Sequence, residues 1–518
     1  MRPTFLGFET GRKGLSVVQK GLDIVGHNLS NIGTPGYTRQ RVDQVSVAVT
    51  SSSSRYAVNT THLAGQGTSI KQISQVRDSF LDKRFREEFS DTYYYDQQYS
   101  ILSDIESVVD EFASTSGISD ALNEIFSALQ NFSADNADQI SCANILCTTF
   151  KGMSQVLQES SAKLDKVAEQ HKFDLGVSVD YVNDALSELA GLNKEISTDM
   201  AINVNNPEYT PPNELMDKRN LILDELSRYG NIDTEEQADG SINVSMNGHP
   251  IVSGDEFEAI QYTQRNDGTV ALNWQSTGSE IKLSSGSLKG YVELINGRGP
   301  NIQSPNETPQ RGVLYYKDRL NTFARTIAQK VNNIIPELDA NGNVQVDSQG
   351  NTVYKQLFGA LVQNNDGTFS TSQNVMVTAD NISITDEWSK DASYAIFQNG
   401  SFAGSDYINQ LTNALKVSDG NQFYTNGMCF TGSFTDYIQD VSNTCAADTS
   451  FAKGRLQASG AVSDELLNRR DSIMGVAQDE ETSNMMMYQR SYQAMSRLMT
   501  AMDEALDIII NKMGLVGR

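Results

Sequence analysis

The sequence predicts a multidomain, elongated α+β protein: a long α-helical coiled-coil rod formed by the N- and C-terminal segments, with a β-rich domain inserted between them. Three observations carry that prediction. Both ends of the 518-residue chain hold apolar residues at alternating spacings of three and four, the pattern of a helix that winds against another helix. Near the middle the apolar period changes to two, as in half-buried strands. Hydrophobic residues make up 38% of the chain, low for a compact enzyme and suited to a rod with much exposed surface.

The first helix carries Phe8, Gly11, Leu15, Val18, Leu22, Val25, Leu29 and Ile32 on one seam and stops at a loop holding Pro35 and Gly36. Gly7, Gly14 and Gly21 stand seven residues apart, nearly two helical turns, and so leave a lane without side chains where another helix can come close. Each glycine weakens a lone helix by about 1 kcal/mol relative to alanine, so this helix is expected to gain its order from a partner. In the loop, Pro35 forces Thr34 out of the helical region and Gly36 tolerates positive φ, giving a helix stop followed by a turn.

Val45, Val47 and Val49 then alternate as a short strand, Ser51 to Ser54 mark an exposed turn, and Thr68 to Ile73 read as a second extended piece. Long helices follow. Tyr95, Tyr99, Leu102, Ile105, Val109 and Phe112 line the first, and Ile118, Leu122, Ile125, Leu129 and Phe132 a shorter one. The longest starts near Asn144 with Leu146, Phe150, Met153, Leu157, Leu164 and Val167 and resumes with Val182, Ala185, Leu189, Leu192 and Ile196. If continuous, the stretch from Leu146 to Ile196 spans roughly 75 Å at 1.5 Å per residue. Ser160, His171, Asp174 and Ser178 occupy its seam, which predicts a bend or wet stretch near position 171 and an exposed His171.

Pro207, Pro211 and Pro212 close the helical pattern and open the inserted domain, which begins with a helix around Leu215 to Leu226. Ile242, Val244 and Met246 alternate before Asn247-Gly248, and Val270, Leu272 and Trp274 after Asn266-Asp267-Gly268, both hairpin signals of an antiparallel sheet. A Gly-, Pro- and Asn-rich loop from Gly297 to Pro309 leads into a helix with Val313, Tyr316, Leu320, Phe323, Ile327, Val331 and Ile334. From Leu338 to Gly404 short apolar runs among Asn, Asp, Gly, Ser and Thr indicate small β or irregular structure. The helical seam returns at Phe434 with Ile438, Val441, Cys445, Ala452, Val462, Leu466 and Ile473.

The terminal helix holds the strictest seam: Met485, Tyr488, Tyr492, Met495, Met499, Met502, Leu506, Ile509 and Met513. A second stripe, Ala494, Leu498, Ala501, Ala505 and Ile508, runs beside it, so the apolar face is wider than a two-stranded pair needs. This helix calls for neighbours on two sides.

The loop after the first helix carries a longer motif, Asn28-Leu29-Ser30-Asn31-Ile32-Gly33-Thr34-Pro35-Gly36-Tyr37-Thr38-Arg39. It resembles the N-terminal signature of bacterial flagellar axial proteins, the rod, hook and hook-associated proteins. The tail from Asp479, Glu480 and Glu481 through Gln489, Arg490, Tyr492 and Gln493 to Leu506 resembles that family's C-terminal signature, and each motif stands at the expected end. The almost wholly helical stretch from Arg77 to Ile196 resembles the hook-associated proteins of the hook-filament junction more than hook protein, which places β-rich segments earlier.

The resemblance implies a structural subunit that self-assembles through its terminal helices and joins hook to filament; the alternatives are flagellar hook protein, or an axial protein carrying an enzymatic or adhesive insertion. The partners implied are copies of the chain in a ring, hook protein, a second junction protein on the filament side and a flagellar export chaperone. Secretion through the flagellum's own export apparatus would place it outside the cell at the junction. The expected domains are residues 1–40 with 478–518 as a terminal coiled-coil layer, 41–206 with 405–477 as a helical rod layer, 207–335 as the β-rich insertion, and 336–404 as a small β or irregular segment.

Physical chemistry narrows the function further. A net charge of -25 argues against nucleic acid and anionic membrane surfaces as partners. No apolar run approaches a membrane span, and Glu9 interrupts the short apolar start that a cleavable signal would need. Cys142, Cys147, Cys429 and Cys445 lack zinc-ligand spacing and are expected to be buried apolar residues, with a Cys429–Cys445 bond as an alternative. Asp339, Asn341, Gly342, Asn343 and Asp347 imitate a calcium loop, but the glycine stands fourth instead of sixth, and Gly350 stands where a bidentate glutamate belongs; a turn between short strands fits better. Four histidines without metal-binding spacing, and no phosphate loop or nucleophile elbow, point to a non-enzyme without metal or cofactor. Asp479, Glu480 and Glu481 read as a solvated helix start, where carboxylates meet the positive end of the dipole.

Overall fold

The computed structural model describes residues 6–47, 67–112, 117–132, 139–203, 206, 209–302, 304–339, 341, 343–364, 366–395, 404–416 and 421–512, and the fold is α+β. Val49, Ser51 to Ser54, Pro207, Gly342 and Met513 lie outside the described residues. The chain begins with α1 (Leu6–Ser30), the antiparallel pair β1 (Gln40–Ser46) and β2 (Thr68–Gln75), then α2 (Ser79–Phe112), α3 (Ile118–Phe132) and α4 (Gln139–Asn203). After α5 (Asn213–Tyr229) come β3 (Ile232–Glu236), β4 (Ile242–Met246), β5 (His249–Ser253) and β6 (Glu256–Phe257), which pair in that order as an antiparallel sheet. The hairpin β7 (Ile260–Gln264) and β8 (Val270–Trp274) is followed by α6 (Ser287–Ile295) and α7 (Val313–Val331). Next are β9 (Phe358–Gln363), β10 (Phe369–Ser372) and β11 (Ile382–Ile384), a sheet with β9 central, then α8 (Asp386–Lys390) and α9 (Gly404–Lys416). The hairpin β12 (Gln422–Thr425) and β13 (Met428–Thr431) precedes the long α10 (Phe434–Met474) and α11 (Gln478–Asp507).

The residues form two compact units. One comprises Met1–Ser90, Val182–Ala259 and Ser459–Arg518, the other Asp91–Tyr181 and Ile260–Ala458, so α2, α4 and α10 contribute to both, and residues 207–335 are divided between them. In the first unit the apolar faces of α4 and α5 (Leu186, Leu189, Ile196, Leu223, Leu226) and of β4 and β5 (Val244, Met246, Ile251, Val252) are buried. Asp224 of α5 accepts from Arg86 of α2 at 2.7 Å and from Arg470 of α10 at 2.6 Å, and the Arg470 guanidinium lies 4.1 Å from the Phe85 ring centre. In the second unit one aromatic cluster joins Phe150, Phe358 and Trp388, and another joins Phe323, Phe423, Phe434 and Tyr437.

Four buried asparagines fasten helices to strands by one shared device. Each side-chain amide accepts from the N–H and donates to the C=O of a single strand residue, as a paired strand would. Asn28 of α1 does this to Gln40 (3.0 and 2.9 Å), and Asn193 of α4 to Ile242 (3.0 and 2.8 Å) with a further bond to the Gly254 carbonyl (2.9 Å). Asn296, just after α6, clasps Val270 (2.8 and 2.8 Å), and Asn332, just after α7, clasps Phe358 (2.8 and 2.9 Å).

Several expectations are corrected. The seam of α4 is unbroken at position 171, and His171 is buried, its Nε2 3.0 Å from Asp104 Oδ2 and its ring near Tyr291. Ser161, on the same helix, donates to Asp380. Both polar groups find partners from other elements, so His171 is buried within a continuous helix instead of exposed. Among the cysteines, Cys445 is buried, Cys142 and Cys147 are half-buried and Cys429 is exposed on β13; all are free thiols. Val462 and Ile473 keep register on α10 yet remain exposed. Asp339 accepts from the N–H groups of Asn341 and Asn343, and Asp347 from those of Gln349 and Asn351, the turns between short bridged segments that the sequence favours.

Candidate assembly interface

α1 lies antiparallel along α11 with the glycine lane between them. A Cβ built on Gly21 would stand 2.6 Å from the Tyr488 ring, one on Gly11 2.7 Å from Met499 Sδ, and one on Gly14 3.2 Å from Met495 Cε, while Gly7 faces Met502. Long flexible side chains of α11 thus occupy the space that α1 leaves open. Gly21→Ala is expected to force the pair apart at a cost of about 1–3 kcal/mol, read as roughly 10- to 100-fold faster amide exchange in α1. Gly26, with nothing within 4 Å of its Cβ position, is the control, since alanine there should slow exchange.

The sequence-selected residues divide by exposure. On α1, Val18 and Val25 are buried, Leu15, Leu22 and Leu29 half-buried, and Ile32, just past its end, is 50% exposed. On α11, Met485, Tyr488, Met495, Met499, Met502 and Leu506 are half-buried, whereas Tyr492 and, just after the helix, Ile509 are exposed. The second stripe, Ala494, Leu498, Ala501, Ala505 and Ile508, has no cover: Leu498 is 44% exposed. Gln489, Arg490 and Gln493 are exposed too. Val17 and Ile24 are buried on α1 as well, although they fall off the heptad seam.

The N-terminal motif is a hydrogen-bonded knot. Asn31 donates to the His27 carbonyl and accepts from Thr34, which closes the helix; Tyr37 OH donates to Asn28 Oδ1 at 2.7 Å. Thr34, Pro35 and Gly36 are exposed, with Gly36 at φ +76 close to Leu221. Burial, and then the carboxylates of Asp217, Glu214 and Glu481, push the Tyr37 phenol far above its ordinary range, so it remains a donor. Asp217, itself raised by burial, accepts from the Thr38 N–H and from Gln75. Arg39 donates to Glu481 Oε1 and Glu480 Oε2, both at 2.8 Å. Glu481 is 1% exposed, a correction to the solvated helix start: only its neighbours Asp479 and Glu480 face water.

Among the described residues no helix is long and apolar enough to cross a membrane, and no group of three or more His, Cys, Asp or Glu side chains could hold a metal ion.

Residues 102–347 match the family described as flagellar hook-associated protein FlgK helical domain, and residues 472–512 the one described as flagellar basal body rod FlgEFG protein C-terminal. The chain is 26% identical to flagellar hook-associated protein 1 of Bacillus subtilis (strain 168), with 100% of both chains covered. It is 21% identical to flagellar hook-associated protein 1 of Escherichia coli (strain K12), over 96% of this chain and 98% of that one. In fold it is similar to the flagellar hook junction protein FlgK from Burkholderia pseudomallei, with a TM-score of 0.52 at 12% identity over 76% of this chain and 100% of that one. Similarity runs the length of both chains and not through the terminal motifs alone: the chain is a structural component of the bacterial flagellum, similar over its whole length to flagellar hook-associated proteins.

Proposed function

We propose that this chain joins the hook to the filament, as a ring of its own copies held through the terminal helices. The observation that carries the reading is the uncovered stripe on α11, Ala494, Leu498, Ala501 and Ala505, which remains after α1 has taken the helix's first face. A heterologous ring needs such a surface on each subunit. Hook protein is then the neighbour on one side and a second junction protein the neighbour on the filament side. An export chaperone holds the terminal helix before secretion by the flagellar export apparatus, and the working location is the extracellular junction. Residues 1–40 with 478–518 act as the terminal coiled-coil layer, 41–206 with 405–477 as the helical rod layer, 207–335 as the inserted β-rich domain, and 336–404 as a small β or irregular segment. The role is structural, without catalysis, nucleic acid or membrane contact. In a strain lacking the chain, electron microscopy is expected to show hooks without filaments and flagellin in the medium; filaments growing on those hooks would overturn the proposal.

A further inference from the structure

We infer that Arg39 braces the joint between α10 and α11 and thereby sets the direction in which the terminal helix pair leaves the rest of its unit. α10 ends at Met474 and α11 begins at Gln478, so Gly475, Val476 and Ala477 form a short non-helical joint between helices of 41 and 30 residues. Ala477, at the N-cap of α11, offers no side-chain cap. Such a joint, left alone, is a hinge.

Arg39 holds both sides of it. Its backbone N–H donates to the Met474 carbonyl at 2.9 Å, at the end of α10, while its guanidinium reaches Glu481 and Glu480 in the first turn of α11. The arginine is itself fixed: its carbonyl accepts from Val76 N–H at 2.8 Å, and Asn28 clasps the next residue, Gln40. The Glu481 side chain is 2% exposed and that of Arg39 23%, so the link is largely withdrawn from water and from salt screening. A buried carboxylate is tolerated when a cation meets it, which ties the position of α11 to a residue on the far side of the joint. The consequence for assembly rests on reading α1 and α11 as the assembly element; the brace itself does not.

The test uses the full chain with spin labels on Asp464→Cys of α10 and Arg497→Cys of α11, both exposed, and with Cys142, Cys147 and Cys429 replaced by serine and Cys445 by alanine. The parent should give one narrow distance distribution. Arg39→Met should broaden it by about twofold or more, but it also strands a buried charge and lowers stability. The deciding variant is therefore Arg39→Met with Glu481→Met, which removes both charges and should recover the thermal midpoint while the distribution stays broad. A narrow distribution in that double variant would overturn the brace and leave only a space-filling pair. Leu498→Asp separates the two ideas: a narrow distribution with lost incorporation upholds the assembly reading whatever the brace does.

Discussion

Subunits carrying Leu498→Asp are expected to fold and be exported like the parent chain yet fail to join their neighbours. Leu498 belongs to the uncovered α11 stripe and is 44% exposed, so in the monomer a carboxylate there stays in water. In the proposed ring the same position is covered, and a carboxylate buried without a partner costs several kcal/mol. A loss of about 3 kcal/mol weakens each contact by more than about 100-fold, and a ring repeats that loss at every subunit. The observables are an unchanged thermal midpoint, secreted but unassembled protein, and flagellin leaking to the medium. Met499→Asp should behave differently, because Met499 is half-buried over Gly11 and its loss also loosens the α1–α11 pair. If Leu498→Asp subunits still carry filaments, the outer stripe is not the interface; if the monomer's midpoint falls by many degrees, the stripe belongs to an internal core.

Asn193→Leu is expected to cause the largest loss of stability. The asparagine is fully buried, and removing its amide strands the Ile242 N–H and C=O and the Gly254 C=O. Each buried orphan costs about 1–3 kcal/mol, so the total should reach about 3–5 kcal/mol after the apolar gain of leucine is allowed for. That is a large part of the about 5–15 kcal/mol that folded domains possess. Asn193→Asp keeps an acceptor for the Ile242 N–H but sets a buried carboxylate oxygen against the Ile242 and Gly254 carbonyls, and should be no less destabilising. Denaturant melts of the two variants give the comparison, and a loss below about 1 kcal/mol for leucine would mean the clasp contributes little.

The terminal helices were legible because their chemistry is local: alternating three and four spacings and a glycine lane need no knowledge of the partner to be seen. The hairpin at Asn247-Gly248 was legible for the same reason, since its φ values of 51 and 81 are what those residues favour. What could not be read depends on distant partners. Glu481 looks like Glu480 in sequence and differs only because Arg39, 442 positions away, buries it. His171 reads as a break in a seam until Asp104 meets it, and Asn193 reads as a polar interruption until β4 lies against it. Cys429 fails in the opposite sense, a small apolar residue paired with the exposed Tyr424 on one face of a hairpin whose other face buries Phe423.

The lane between α1 and α11 also gives the molecule a chemical weak point. The side chains that fill it, apart from Tyr488, are thioethers: Met495 over Gly14, Met499 over Gly11 and Met502 over Gly7. Thioethers suit the task because they bend into irregular gaps. They are also the side chains that peroxides convert to sulfoxides, adding a polar oxygen to a sulfur that lies within the lane. At Met499 the sulfur itself occupies the position nearest Gly11, so an added oxygen there crowds the approach of the two helices. Oxidation of these three methionines would therefore loosen the contact between α1 and α11, and repair depends on reductases that can reach a methionine already half covered.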